Sequence, residues 1–110
     1  MIDDPIKTEH LLERLKAQLP FNAILRPSLL ATLRMQTEPR DWPTRGAVAE
    51  LHYAGDEGGI MCAVTFDAAD ARLHTPITHL QFDRRMPLAR EITAYQKHRI
   101  KRLRREQNKI

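Results

Sequence analysis

Two apolar segments joined by a glycine-rich turn constrain the fold more than any other feature of this chain. Gly46–Tyr53 and Ile60–Phe66 have the composition of strands, and the six residues between them, AGDEGG, favour a turn. If Tyr53 pairs with Ile60, one face of the hairpin is apolar and the other is mixed. The pairs are Leu51 with Cys62 and Ala49 with Val64 on the apolar face, and His52 with Met61 and Glu50 with Ala63 on the mixed face. The sequence therefore predicts an antiparallel sheet whose apolar face other elements must cover.

The segment before the hairpin combines a helical pattern with an ambiguous one. Asp4 before Pro5 is typical of an N-cap followed by proline, and leucines at helical spacing predict a helix over 5–19 that Pro20 ends. Within residues 21–37, the leucines after Pro27 suit a short helix, whereas alternation along 31–37 suits a strand. We predict a strand at 31–37, followed by a loop over 38–46 that contains two prolines and a glycine.

After the hairpin, Ile77–Phe82 has the pattern of a further strand, which would add Leu80 and Phe82 to the apolar face. Residues 67–70 are predicted to form a turn. With 110 residues, of which 42% are apolar and 29% charged, the chain has the size and composition of one globular domain, spanning 1–110. The expected fold class is α+β, a small antiparallel sheet of three or four strands with a helix at each end, in the order α-(β)-β-β-β-α.

A long amphipathic helix is predicted at about 87–107, because Pro87 suits a first helical position. Its apolar side carries Leu88, Ala89, Ile92, Tyr95, Ile100 and Leu103. Its opposite side is basic and carries Arg90, Lys97, Lys101, Arg104 and Arg105.

Charge is divided unevenly along the chain. Residues 1–83 contain eight Lys and Arg against twelve Asp and Glu, a net charge of −4, whereas residues 84–110 contain ten against two, a net charge of +8. Clustered cations attract phosphates and release counterions on binding, so the leading hypothesis is phosphate-directed binding of RNA or DNA without sequence specificity. The residues expected to carry it are Arg84, Arg85, Arg90, Lys97, Lys101, Arg104 and Arg105. The alternative for the same residues is a solvated face that provides solubility.

A second hypothesis, from a different class, is a protein-interaction or oligomerisation module. It uses either the amphipathic helix or the mixed sheet face, which is less polar than a solvent-facing surface usually is. The residues assigned to that face are Val48, His52, Met61, Ala63, Ile77 and His79. The first helix, the 20–45 segment with Trp42, or a second copy of the chain would cover it. A membrane-surface helix ranks lower, because the apolar side of the last helix lacks Trp and Phe anchors.

The order of elements is similar to that of double-stranded-RNA-binding domains, which also place cations near their final helix. The resemblance concerns topology alone. Arg84-Arg85 precedes Pro87 where those domains begin an uninterrupted lysine-rich helix, and a matching contact loop between the strands is missing, so no residue roles are transferred.

Catalytic, metal and cofactor sites are not expected. His52, Cys62, His74 and His79 are zinc-type ligands, but they form no paired motif, and Cys62 lies mid-strand, where a thiol is unreactive. Ser28 is the only serine and has no nucleophile elbow around it. With one cysteine, an acidic N-terminus and no apolar stretch of membrane-spanning length, the expected location is the cytoplasm.

Overall fold

Five antiparallel strands form one curled sheet in the computed structural model, which describes residues 2–36, 42–67 and 69–108. The helices are α1 (Pro5–Lys16), α2 (Pro27–Arg34), α3 (Gly55–Gly58) and α4 (Ala89–Gln107). The strands are β1 (Phe21–Leu25), β2 (Arg45–Tyr53), β3 (Ile60–Phe66), β4 (Ala69–Pro76) and β5 (Leu80–Gln81). The spatial order is β4-β3-β2-β1-β5. The α+β class is confirmed, but the predicted three or four strands are too few.

The central hairpin forms as predicted, with one correction near its start. Tyr53 pairs with Ile60, and the next three predicted pairs back to Glu50 and Ala63 are also present. A bulge between Val48 and Glu50 then shifts the register, so Val48 rather than Ala49 lies opposite Val64. Because a bulge adds one residue to one strand, it changes which face the preceding residues occupy. Val48 is consequently fully buried.

The N-terminal helix begins where the sequence indicates. The carboxylate of Asp4 accepts hydrogen bonds from the N–H groups of Ile6 and Lys7, both at 3.0 Å, and Pro5 occupies the first turn. Buried Leu11 and Leu15 anchor the helix to the core. The helix ends at Lys16 rather than at residue 19. The residue before a proline is disfavoured in the helical region, and the chain must turn into β1 after Pro20.

The prediction of a strand at 31–37 is wrong. Pro27–Arg34 is helical, with Leu29 and Leu33 buried one helical turn apart, and Met35 is 86% exposed; Thr37 lies outside the described residues. The strand of this region is β1, where alternating Phe21, Ala23 and Leu25 are buried. A strand of five residues, such as β1, gives only a short sequence signal, and the residues of α2 fitted both a helical and an alternating pattern.

The region after the hairpin also differs from the prediction. β4 occupies Ala69–Pro76, where a turn was predicted up to Asp70, and it pairs antiparallel with β3. The predicted strand Ile77–Phe82 is instead a 3₁₀ helix, Ile77–His79, followed by the two-residue β5. β4 was missed because polar residues outnumber apolar ones along it, so its alternation is weak.

The last helix begins two residues after the predicted proline. Leu88 adopts a left-handed conformation, with φ of 68°, immediately before α4 begins at Ala89. The predicted end at Gln107 is confirmed.

One apolar cluster joins the three longer helices to a single face of the sheet. Its fully buried members include Leu15, Leu25, Val64, Leu80 and Ile92. Trp42 packs on the ring of Phe66 at 5.8 Å between centroids, and therefore on the core side of the sheet.

The opposite face of the sheet is more polar than predicted. Ile77 and Val48 are fully buried and do not belong to it, because of the 3₁₀ helix and the bulge. An ion pair between Arg72 and Glu50, at 2.8 Å, lies on it.

Candidate functional site

Four of the predicted cations line one groove on the outer side of α4. They are Lys97, Lys101, Arg104 and Arg105, and all four are exposed. The groove has a volume of about 470 Å³, and Ile100 and Asn108 complete its lining. Arg90 is also exposed and precedes Lys97 by seven residues, so it lies two turns earlier on nearly the same helix face. We call Arg90 and the four groove cations the basic stripe.

The basic stripe is electrostatically uncompensated. Within residues 2–36, 42–67 and 69–108, none of its five cations forms an ion pair or a side-chain hydrogen bond. The partial negative charge of the helix C-terminus lies beside Arg104 and Arg105 and favours cations there. From Arg90 to Arg105 the helix rises about 22 Å, at 1.5 Å per residue. The result is a linear array of positive charge.

The C-terminal half of this array projects from the body of the domain. Arg99 is the last buried residue of α4 within the described chain, and every residue from Lys101 to Asn108 is at least partly exposed. The radius of gyration is 14.2 Å, against about 13 Å for a compact domain of this length. An extended ligand therefore has access to two helical turns beyond the core.

Arg84 and Arg85 do not belong to this groove. Both are exposed and line a separate cleft of about 990 Å³ beside the sheet, and this cleft shares no lining residue with the groove on α4. The N–H of Arg85 donates to the carboxylate of Asp83 at 2.8 Å, which fixes the turn that carries the two arginines. The structure thus brings five of the seven predicted cations onto one helix face and places the other two elsewhere.

The inward side of α4 contains buried polar groups that the apolar pattern of the helix did not predict. Gln96 and Arg99 are 4% and 2% exposed, whereas Ile100, predicted on the apolar side, is 37% exposed. Ile92, Tyr95, Gln96 and Arg99 follow the i, i+3, i+4, i+7 spacing of one helix face. This spacing could have indicated that Arg99 faces the core. It was not followed, because a charged side chain is usually expected on the exposed face.

Arg99 is buried because Asp3 supplies its counter-charge. One guanidinium nitrogen donates to Oδ2 of Asp3 at 3.1 Å, and the other donates to the backbone carbonyl of Asp56 at 2.7 Å. The hydroxyls of Tyr53 and Tyr95 also donate to Oδ2 of Asp3, each at 2.9 Å. We call Asp3, Tyr53, Tyr95 and Arg99 the Asp3 network.

The Asp3 network joins distant parts of the chain at the base of the projecting helix. The Tyr95 hydroxyl accepts the N–H of Ile60 at 3.1 Å, and the N–H of Ile2 donates to the Asp56 carboxylate at 3.0 Å. Oδ1 of Asp3 is buried and has no hydrogen-bond partner among the described residues. Oδ2 of Asp3 and the guanidinium group of Arg99 therefore attach three parts of the chain to α4. These parts are the N-terminal segment, the α3 turn and the hairpin.

A second polar contact holds the first half of α4. The side-chain amide of Gln96 donates to the carbonyls of Ile77 and Leu80, at 2.7 and 2.8 Å. Arg26 donates to the Leu80 carbonyl at 3.1 Å and to the Gln96 oxygen at 3.4 Å. These bonds orient α4 against the 3₁₀ helix and β5, and so direct the basic stripe toward solvent.

Ionisation of the tyrosines links stability to alkaline pH. Burial, reinforced by the hydrogen bond to Asp3, raises the pKa of Tyr53 to about 12. Burial also raises the pKa of Tyr95, partly opposed by the N–H of Ile60. A folded-state pKa above the unfolded value of about 10 gives stability that is complete below pH 10 and lost as pH rises toward 12.

We expect the urea midpoint of the wild-type protein to fall more steeply above pH 10 than that of Tyr53→Phe. The phenylalanine variant keeps the ring but has no hydroxyl to ionise. Urea titrations at pH 9 and pH 11, followed by Trp42 fluorescence, measure the difference. Equal declines in the two proteins would contradict the role assigned to Tyr53.

Cys62 and His79, two of the residues weighed as zinc ligands, have structural contacts in the fold. Cys62 is fully buried in the apolar cluster, as expected, and burial raises the pKa of its thiol to about 12. His79 lies in the 3₁₀ helix and hydrogen-bonds the Thr75 hydroxyl at 3.3 Å, so its predicted position on the outer sheet face is wrong. Across the described ranges, no three His, Cys, Asp or Glu side chains come together to hold a metal ion.

In the same ranges, no helix is both long enough and apolar enough to cross a membrane. No protein-family model, no curated protein and no solved structure matches the chain.

Proposed function

We propose that the protein is a non-enzymatic module that binds RNA or DNA through phosphate contacts of the basic stripe. The observation that carries the proposal is that the stripe's five cations are exposed and, within the described residues, unpaired. A polyanion supplies the missing counter-charges and gains counterion entropy on binding. A solvated helix face usually mixes charges of both signs, as exposed helices do for solubility.

The geometry favours backbone contact rather than base recognition. Arginine and lysine at successive turns of one helix face meet phosphates along a strand, and these contacts position a protein without conveying sequence information. Asn108, at the end of the groove, is the one amide side chain that lines it among the described residues. Amides that read base edges are otherwise missing from the groove, so we propose binding without sequence specificity.

The test is a fluorescence-anisotropy titration of a labelled mixed-sequence RNA, and of its duplex DNA counterpart, at low and at physiological salt. Truncation of α4 after Gln96 would remove Arg99 and disrupt the Asp3 network, so charge neutralisation is the better perturbation. The test variant is Lys97→Gln, Lys101→Gln, Arg104→Gln, Arg105→Gln. Its matched control neutralises four exposed cations elsewhere, as Lys7→Gln, Arg14→Gln, Lys16→Gln, Arg34→Gln.

We expect the wild-type affinity to fall steeply with salt, with a log–log slope of about −0.9 for each phosphate neutralised on duplex DNA. The test variant is expected to lose about tenfold or more in affinity and most of that slope. The control variant has the same net charge as the test variant. It is expected to keep the wild-type affinity, because its basic stripe is unchanged. Equal losses in both variants, or binding that does not respond to salt, would show that the stripe is not the site.

A protein partner is the second proposal, and one observation favours it. Ile100 is 37% exposed within the groove, so the stripe surrounds an apolar contact that a phosphate backbone does not need. An acidic protein surface with an apolar centre would match this pattern. A mass that rises with protein concentration, together with no nucleic-acid binding at low salt, would favour a second copy of the chain as that partner.

A further inference from the structure

The cleft that contains Arg84 and Arg85 lies beside the β1 edge of the sheet, and residues of both sheet faces line it. Asn22 pairs with Ala47, and Ala47 pairs with Thr65, so these three side chains share one face across β1, β2 and β3. All three line the cleft, as do Ile24 and its partner Gln81. These residues lie on the face opposite the core, whereas Phe21, Ala23 and Phe66, which also line the cleft, belong to the apolar cluster.

One side of the cleft is opened by the shortness of β5. Among the described residues, β5 pairs only with Ile24 and Leu25 of β1, so the rest of the β1 edge borders the cleft. The chain from Phe82 to Met86 then forms a wall, and the Phe82 ring is held against the Phe21 ring at 5.8 Å. Ala47, which lies between Asn22 and Thr65 in the floor formed by the sheet, has a small side chain.

Three arginines give the cleft a positive rim. Arg45 comes from β2, and Arg84 and Arg85 come from the wall, so two separate elements contribute guanidinium groups. Asp67 and Asp83 also line the cleft, and Asp83 is occupied in part by the N–H of Arg85. The charged lining therefore comprises three cations and two carboxylates, which is a mixed site rather than a uniform cationic patch.

We propose that this cleft binds a nucleoside monophosphate, either free or as an unpaired nucleotide of a single strand. Guanidinium groups bind phosphate with charge-assisted, bidentate hydrogen bonds. The amides of Asn22 and Gln81 provide the donor and acceptor pairs that base edges require. Asp67 is an acceptor for ribose hydroxyls, and Ile24 and Phe82 provide apolar contact for a base.

The combination, rather than any single group, selects this ligand class. Inorganic phosphate would use the arginines and leave the amides and the apolar wall without partners. A neutral nucleoside would leave the excess positive charge of the rim without a counter-charge. The volume of about 990 Å³ is at the upper end of the range of small-molecule sites, about 300–1,000 Å³, so the cleft accommodates a whole nucleotide.

This site is independent of the basic stripe. The two share no lining residue, so a substitution in one is expected to leave the other intact. A negative result for this cleft would therefore not contradict phosphate-directed binding by α4.

The experiment is a ¹⁵N-labelled NMR titration of the full chain with adenosine 5′-monophosphate, adenosine, inorganic phosphate and a single-stranded adenosine hexamer. We expect the monophosphate to shift the amides of Asn22, Ala47, Thr65, Gln81 and Arg85, and to leave those of Lys101 and Arg104 in place. Binding of adenosine or phosphate alone should be weaker by about tenfold or more, since each lacks one set of charge-assisted or polar contacts.

Two variants separate the site from a general charge effect. Arg84→Gln with Arg85→Gln should weaken monophosphate binding by about tenfold or more, and Ala47→Trp should abolish it by filling the floor. The variant that replaces Lys97, Lys101, Arg104 and Arg105 with glutamine should bind the monophosphate with the wild-type affinity.

The outcomes distinguish the two sources of the ligand. Tighter binding of the hexamer than of the monophosphate, lost in the Arg84 and Arg85 variant, identifies a strand nucleotide, and tighter binding of the monophosphate identifies a free nucleotide. No shifts in the cleft, equal shifts with phosphate alone, or binding that survives Ala47→Trp would each overturn the proposal.

Discussion

Replacing Arg99 with methionine is expected to lower the free energy of unfolding by about 3–5 kcal/mol, the usual cost of breaking a buried ion pair. The substitution leaves the carboxylate of Asp3 buried without its counter-charge. Two tyrosine hydroxyls remain as its hydrogen-bond donors, but they are neutral. The measurement is urea unfolding at neutral pH.

The matched control is Arg104→Met, on the same helix but exposed, which should change the unfolding free energy by less than about 0.5 kcal/mol. Arg99→Lys keeps the charge but loses the second contact, to the Asp56 carbonyl. Its free energy of unfolding should lie between those of Arg99→Met and Arg104→Met. Adding Asp3→Asn to Arg99→Met should recover part of the loss, because the unpaired carboxylate is then gone. A loss below about 1 kcal/mol in Arg99→Met would mean that the pair contributes little to stability.

Gly59→Ala is expected to be nearly as destabilising, by about 3 kcal/mol or more, from two separate causes. Gly59 adopts φ of 66° and ψ of −142°, a region that is essentially restricted to glycine. A Cβ atom at this position would also lie 2.5 Å from the Tyr95 hydroxyl and 2.7 Å from Nε of Arg99. Both atoms belong to side chains held in the Asp3 network, so neither moves without loss of a hydrogen bond.

Gly55→Ala is the control for a positive φ without a collision. Gly55 has φ of 70°, but no atom lies within 4 Å of the Cβ position. Its replacement should cost about 1 kcal/mol, from backbone conformation alone. Urea unfolding of both variants gives the difference, which measures the collision with Tyr95 and Arg99 together with the more restricted backbone region of Gly59. If the two variants were equally stable, the close approach of Gly59 to α4 would contribute nothing to the free energy of unfolding.

Arg99 and Gly59 lie at the same junction, and the proposed function of the basic stripe depends on it. The Asp3 network lies at the base of the projecting half of α4, immediately before Lys101 and the rest of the groove. A variant that loses the network is therefore expected to lose the orientation of the basic stripe together with stability. For this reason, binding and folding must be measured on each variant side by side.

Local signals in the sequence were sufficient for several elements. The cap at Asp4, the hairpin around the glycine-rich turn and the end of α4 all follow from residues within a few positions of one another. The core positions of Leu80 and Cys62 followed from the same pattern. Where two local patterns competed after Pro27, packing of Leu29 and Leu33 into the core decided for a helix over Pro27–Arg34.

The sequence by itself determined the α+β class, the hairpin and the segregation of positive charge into the last helix, because these depend on periodicity and composition over short stretches. Only the tertiary structure decided which cations lie together on one surface. Arg99 is withdrawn into the core by an aspartate 96 positions away, and Arg84 and Arg85 are placed in a cleft with Arg45. Contacts between residues so distant in the chain depend on how the helices pack on the sheet, and no local pattern encodes that arrangement.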